Sequence, residues 1–184
     1  VIAAHADVPP TEATSAAGAI VSYVAPATSD LVDGPGVASC SPLSGAQFSI
    51  GNTTVACAAV DHAGNNAEIT YFQVPVRDTT APAVTAPADV IAEATGPQTA
   101  VTHGTATATD AVGVVSISSD APATFPVGVT TIHWSASDAA LNVGTATSLV
   151  TVRDTTPPVI DGHADLTQTE ATSAAGAVVS YVAP

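Results

Sequence analysis

The chain repeats itself at two scales. Residues 159–184 copy residues 1–26 with 20 of 26 positions identical, at a fixed offset of 158. A looser echo carries Thr53-Thr54-Val55 through Asp78-Thr79-Thr80 onto Thr130-Thr131-Ile132 through Asp154-Thr155-Thr156, at an offset of 77 falling to 76. A long unit made of two shorter ones, with a third beginning, describes an array. Each bead must then close a core within about 77 residues. Arrays serve length, spacing and multivalent contact more often than bond-making chemistry. The expected division is residues 1–76, residues 77–153, and the start of an incomplete third unit at residues 154–184. Residue 1 matches residue 159, which follows Asp154-Thr155-Thr156-Pro157-Pro158. The first unit therefore reads as missing its leader, and the chain as a window onto a longer polypeptide.

The periodicity within each unit is that of strands. Alanine is abundant, yet no segment sustains a 3.6-residue apolar period, and Thr, Val, Ser, Gly and Pro interrupt every candidate helix. In Thr130-Thr131-Ile132-His133-Trp134-Ser135-Ala136-Ser137, Ile132, Trp134 and Ala136 share one face; Val55, Cys57 and Ala59 do the same in the first unit. Turns at Asp61-His62-Ala63-Gly64-Asn65 and Asp138-Ala139-Ala140-Leu141-Asn142 lead into closing strands ending at Val76 and Val152. Further strands are expected over 19–24, 37–40, 100–108 and 114–118. Short alternating strands with turns every 8–12 residues predict an all-β chain of tandem immunoglobulin-like β-sandwiches arranged as a rod.

Charge excludes several partners. The chain holds 16 acids, two arginines and no lysine, for a net charge of −14. Nucleic acid needs clustered cations on the protein, and this chain has none. No apolar run approaches the roughly 20 residues of a membrane span, so no membrane insertion is expected in this window. Without lysine, Lys–Asn isopeptide cross-links cannot form. Cys40 and Cys57, 17 residues apart, fit neither CxxC nor a usual zinc spacing. A disulfide is the better reading, and it implies an oxidising compartment. At offset 77 their counterparts are Ile117 and Trp134, which are expected to fill the same space without a covalent bond.

Several short motifs combine. They are Cys40-Ser41-Pro42, Ser44-Gly45, Phe48, Gly51-Asn52-Thr53-Thr54-Val55, Cys57, Asp61, Gly64-Asn65, Val74-Pro75-Val76 and Asp78-Thr79-Thr80-Ala81-Pro82. The second unit keeps Phe125-Pro126, Gly128, Thr130-Thr131-Ile132, Asp138, Asn142 and Asp154-Thr155-Thr156-Pro157-Pro158, but has lost both cysteines and the glycine before Asn142. Together these resemble the hyalin repeat (HYR) family of immunoglobulin-like domains. The resemblance implies extracellular, tandem modules associated with adhesion or matrix, without catalytic residues of their own.

Three acidic positions recur: Asp30/Asp110, Asp61/Asp138 and Asp78/Asp154. In a sandwich of this kind the first two pairs lie at the end where the chain enters. Asp78, Asp110 and Asp138, with Asn142 nearby, are therefore expected to meet at one junction. Oxygen-only clusters suit Ca²⁺; the competing reading is that each Asp caps its own turn. Arg77 and Arg153 precede the linker acids and read as an interdomain clamp or as solvated cations. Pro82, Pro157 and Pro158 stiffen the linkers. Asn52 heads an N-glycosylation sequon whose counterpart at Val129 is lost. Glu12, Glu93 and Glu170 recur in Glu-Ala-Thr and read as a solvated strand edge. Histidines 5, 62, 103, 133 and 163 show no HxH or HExxH spacing. GxSxG, P-loop and dinucleotide-turn motifs are all missing, so no enzyme is expected.

The leading expectation is a structural module of an extracellular fibre, stalk or cell-surface adhesin, with self-association through sheet edges or contact with other matrix components. The alternative is a glycan- or protein-binding accessory module of a secreted multidomain enzyme, which requires an exposed aromatic platform.

Overall fold

The structure is a computed structural model that describes residues 1–162 and 164–182, so His163 lies outside the described residues. The described residues form strands and no helix. The first domain contains β1 (Thr11–Glu12), β2 (Ala19–Val21), β3 (Ala27–Asp30), β4 (Gly34–Val37), β5 (Ser39–Ser41), β6 (Ala46–Phe48), β7 (Gly51–Ala58) and β8 (Thr70–Arg77). The second contains β9 (Ala83–Thr85), β10 (Val90–Glu93), β11 (Gln98–Thr99), β12 (Thr107–Thr109), β13 (Ser116–Ser119), β14 (Phe125–Pro126), β15 (Gly128–Ser137) and β16 (Val143–Arg153).

Each domain has a four-stranded sheet of the same order, β1-β8-β7-β5 and β10-β16-β15-β13. In both, the first strand joins the last in parallel, with Glu12 opposite Arg77 and Glu93 opposite Arg153. The long central hairpins, β7–β8 and β15–β16, are antiparallel. Their alternation does the packing. Val55, Cys57, Phe72, Val74 and Val76 turn inward in the first domain, and Ile132, Trp134, Val150 and Val152 in the second. The facing layer is made of shorter pairs, β2–β6 with β3–β4, and β11–β14 with β9–β12. It supplies Phe48 to one core and Phe125 to the other, each almost wholly buried. Burying a phenylalanine of this kind stabilises a domain by roughly 1.5–3 kcal/mol, a large share for so small a core. The cores form two separate clusters.

Local turns fix where the short strands can pair. Gly18 sits at φ +104°, and a Cβ there would lie 1.9 Å from the carbonyl oxygen of Phe48. Only glycine lets β2 approach β6.

The structure corrects several strand boundaries. The strand expected over 19–24 ends at Val21, and that over 100–108 is reduced to Thr107–Thr109, with Gln98–Thr99 before it. The strand expected over 37–40 splits into β4 and β5, and that over 114–118 is β13, Ser116–Ser119. Extended residues without a ladder partner are not strands, and alternation alone does not reveal where the partner stops.

A second correction concerns Ile117. Cys40 lies opposite Cys57 on the β5–β7 ladder, but Ser119 lies opposite Trp134 on β13–β15, and Ile117 opposite Ala136. Ile117 is 43% exposed on an edge strand. The ladder has moved by two residues, so the isoleucine does not take the cysteine's place. What complements Trp134 is Ser148, which stands where Phe72 stands in the first domain (opposite Ile132 and Val55 respectively) and accepts the indole N–H at 2.9 Å.

Residues 154–184 were expected to open a third unit. Among the described residues of this stretch no strand forms, and one isolated bridge joins Ser173 to Gly176.

Candidate functional site

The linker between the domains starts at Asp78, directly after β8. It is held from the first domain by Glu12, which is not the solvated edge residue expected from the Glu-Ala-Thr repeat. Glu12, on β1, accepts hydrogen bonds from the N–H of Thr79 at 2.8 Å, the hydroxyl of Thr79 at 2.7 Å, the N–H of Thr80 at 3.1 Å and the hydroxyl of Thr80 at 2.8 Å. The parallel β1–β8 pairing sets Glu12 beside Arg77 and so within reach of the next three residues. The Thr79 hydroxyl, then its N–H, then Thr80 hold the Glu12 carboxyl below its usual range. The arrangement recurs. Glu93 accepts from the N–H and hydroxyl of Thr155 and from the hydroxyl of Thr156. The Thr155 bonds likewise lower its pKa. The signal was present as the paired recurrence of Glu-Ala-Thr and Asp-Thr-Thr, but nothing in the sequence says that a residue 67 positions upstream reaches the linker. Glu170, the third copy, is exposed.

Arg77 and Arg153 are exposed and make no ion pair with a carboxylate among the described residues. What they contribute is the main-chain carbonyl, which accepts the N–H of Ala13 and of Ala94 at 2.7 Å each. Pro82 is buried, whereas Pro157 and Pro158 are exposed. The close fit of Pro82 depends on Gly144, because a Cβ there would meet the Pro82 carbonyl oxygen at 1.8 Å.

On the second domain's side three carboxylates converge. Asp78, Asp110 and Asp138 each offer an oxygen within 4.8 Å of the other two. Asp110 follows β12, and its Oδ1 accepts the N–H of Val112 at 2.8 Å and of Gly113 at 3.0 Å. Asp138 follows β15 and binds both the main-chain N–H and the side-chain amide of Asn142, at 2.9 and 2.8 Å. The same amide of Asn142 reaches the carbonyl of Asp78 at 3.2 Å. Turn capping and convergence thus coexist: the bonds that close each turn also aim the carboxylates.

The electrostatics of the three differ. Burial desolvates Asp78 and raises its carboxyl; the N–H of Thr80 opposes this, while the charges of Asp138, Asp110 and Glu12 add to it. Asp78 is 8% exposed, and its Oδ2 is buried without a hydrogen-bond partner. Burial also acts to raise Asp138, but the bonds from Asn142, together with the N–H groups of Ala140 and Leu141, outweigh it and leave that carboxyl low.

The first domain carries the same constellation at its own entry. Asp30 Oδ1 accepts the N–H of Val32 and Asp33 at 2.8 and 3.0 Å, and Asp61 accepts the N–H and side-chain amide of Asn65 at 2.7 Å each. These bonds hold both acids low. Asp30 and Asp61, with Asp33 and Asn65, line an open cavity of about 610 Å³. Asp154 is exposed on the following linker. Asn52 is exposed near the start of β7, and Cys40 is bonded to Cys57. Asp33 is 3.2 Å from the His62 ring and Asp120 2.8 Å from that of His133, so these histidines lie among carboxylates in ion-pair geometry.

The features so far define a class: two immunoglobulin-like sandwiches in tandem, each followed by an acidic Thr-Thr linker tied back by a glutamate. The chain belongs to the HYR domain family, which it matches over residues 10–76 and again over 77–152. Among individual proteins, Hyalin of Strongylocentrotus purpuratus is 30% identical to it over 173 residues. That alignment covers 89% of this chain and 14% of Hyalin, so the chain spans a small part of the relative's length.

Proposed function

We propose that this chain is a repeat module of an extracellular fibre, stalk or large cell-surface adhesin, whose work is to hold successive domains at a set spacing and angle. The observation that carries this reading is the linker. Its Thr-Thr pair is tied by Glu12 to the domain before it, and its Asp78 meets Asp110, Asp138 and Asn142 of the domain after it. A connection bonded on both sides transmits orientation; a free string does not. The glutamate tie recurs at Glu93. Membership of the HYR family and the likeness to Hyalin support the same setting, as does the disulfide, which persists in oxidising surroundings. Calcium is the ion that suits the oxygen-only junction.

Self-association runs best end to end. The edge of the main sheet beyond β1 is closed by Asp7, which accepts the N–H of Gln73, and that beyond β10 by Asp89, which accepts the N–H of Leu149. Carboxylates on an edge oppose strand pairing between chains. The accessory-module reading draws less support: Phe48, Phe72, Phe125 and Trp134 are buried, and the exposed aromatics Tyr71 and Tyr181 lie far apart in the chain.

Electron microscopy of the native assembly tests the proposal. Filaments or stalks with a repeat of one or two domains are expected. Discrete compact particles would overturn it.

A further inference from the structure

We infer that the entry end of the first domain, at Leu31 and Val32, is a docking surface for the exit end of the second domain of another copy of this chain. The inference rests on the array reading and deepens it, by naming the side chains that join one unit to the next.

The internal junction supplies the template. In the second domain the loop after β12 is closed by Asp110 Oδ1, which accepts the N–H of Val112 at 2.8 Å and of Gly113 at 3.0 Å. The turn presents Val112 to the neighbouring domain, where it packs half-buried against the first core. In the first domain Asp30 Oδ1 accepts the N–H of Val32 and of Asp33 at the same two distances, 2.8 and 3.0 Å. Val32 therefore stands where Val112 stands, on a tip closed by the same bonds. Yet it is 92% exposed, and Leu31 beside it is fully exposed. Isolated exposed apolar residues are ordinary on a surface. These two differ because their counterpart shows what covers such a tip.

The matching half is bare at the far end of the second domain. Where the first domain leads into the second, Ala13, Asp78 and Pro82 are buried. The corresponding residues after the second domain are Ala94, which is half-buried, and Asp154 and Pro158, both exposed. The backbone is nevertheless shaped alike at both exits. Glu93 ties Thr155 and Thr156 as Glu12 ties Thr79 and Thr80. The Arg153 carbonyl accepts the Ala94 N–H as the Arg77 carbonyl accepts that of Ala13. One chain thus carries both halves of a contact that it already makes once internally.

The two halves are different surfaces, so the contact is heterologous. It leaves a free half on each partner and extends head to tail. Two apolar side chains fall well short of the roughly 1,200 Å² of a stable interface. The contact is therefore weak between separate chains, and persistent where a linker or filament holds the ends at an effective concentration of about 1 mM.

Sedimentation velocity of the full chain, taken up to about 1 mM with CaCl₂ held constant, tests this. Wild type should form elongated oligomers that grow with concentration. The double substitution Leu31→Asp and Val32→Asp should weaken association at least about 10-fold, the effect of losing one buried aliphatic side chain. Both residues are exposed, so an unchanged melting curve verifies that the variant is folded. Pro158→Asp, at the opposite end, should weaken association likewise. Mixed together, the two variants should give dimers and nothing larger, since one keeps a working exit end and the other a working tip. Val112→Asp should broaden the distance distribution between spin labels on exposed positions of the two domains, because it breaks the template itself. Wild type that stays monomeric at about 1 mM, or either end variant that associates like wild type, would overturn the inference. So would a mixture that stays monomeric, or Val112→Asp with an unchanged distribution. These outcomes are separate from the array reading: native filaments whose chains associate equally well with the tip substituted sink this inference alone, and compact native particles sink the array alone.

Discussion

In the first domain the centre of the main sheet is held by the Cys40–Cys57 bond, with Phe72 two rungs along. At the matching rungs of the second domain stand Trp134 and Ser148, joined by the indole hydrogen bond. The flanking aromatics differ in step. Ala19 pairs with Phe48 and Thr99 with Phe125, so β2 corresponds to β11 at an offset of 80 residues while β6 corresponds to β14 at 77, and the first of these puts His103 where Tyr23 stands. Tyr23 packs edge-on to Phe72 and donates its hydroxyl to the Pro42 carbonyl, whereas His103 lies 5.8 Å from Phe125 and 5.9 Å from Trp134. One scaffold therefore carries two solutions. A covalent staple with a phenylalanine does in one domain what a large hydrogen-bonded indole does in the other. The difference teaches that the sandwich specifies volume and polarity at its centre, and leaves the chemistry open.

The largest break in that comparison should come from Trp134→Ala. Truncating a buried tryptophan costs about 3–5 kcal/mol. It would also leave Ser148 buried without its donor. The loss should fall chiefly on the second domain, because the two cores are separate clusters, with Val112 of the second packed against the first. Hydrogen exchange resolved by domain tests this: amides of β15 and β16 should lose protection while those of β7 and β8 keep theirs.

The mirror experiment is removal of the disulfide. Replacing both Cys40 and Cys57 by Ala should destabilise the first domain by about 3 kcal/mol, the value for closing a loop of this length. Reductant should act in the same direction on the wild-type chain. Trp134, the single tryptophan of the chain, reports the second domain, so its fluorescence melt should not move. A shift there would mean that the domains unfold together.

A smaller difference lies in the turn that carries the third carboxylate. Gly64 occupies the left-handed region at φ +88°, and Leu141 stands at the same place at φ +70° with its side chain 82% exposed. A non-glycine residue held there is strained by about 1–2 kcal/mol. Leu141→Gly should recover roughly 1 kcal/mol, less the entropy that glycine adds to the unfolded chain. A rise in the second domain's denaturation midpoint at unchanged slope is the expected result.

Much of this was legible in the sequence, and the reasons for the rest are physical. The alternation in β7 and β15 gave the inward faces because period two is local. The recurrent Asp-Thr-Thr and Asp-x-x-x-Asn motifs gave the acidic junction because each is a turn with its own cap. Residues 1–26 and 159–184 show where local information stops. Ser15 Oγ donates to the Gly18 carbonyl at 3.4 Å, and Ser173 Oγ to that of Gly176 at the same distance, so the turn forms in both copies. β1 and β2 form only in the first copy, where β8 and β6 supply ladders. Strand existence is a property of pairs. The two-residue slip that exposes Ile117, and the reach of Glu12 to the linker, are likewise facts about partners that a linear offset does not contain.

The finest contrast is between the two faces of the linker, and pH separates them. Hydrogen bonds from Thr79 and Thr80 hold the Glu12 carboxyl below its unfolded value, so its contribution is complete above that value, about pH 4.3, and fades as pH falls through the lowered folded pKa. Asp78 has the opposite sign. Its carboxyl is raised by burial and by Asp138 and Asp110, so its ionisation opposes the folded junction. That opposition is absent below the unfolded Asp value, about pH 3.9, grows as pH rises, and is complete above the raised folded pKa. In chelator, Asp78→Asn should therefore tighten the junction at neutral pH and change it little at the acid end, while Glu12→Gln should loosen it at neutral pH. Interdomain distance distributions recorded in chelator across this range check both signs. Should the two substitutions act in the same direction at neutral pH, the linker is not held by attraction on one side and repulsion on the other.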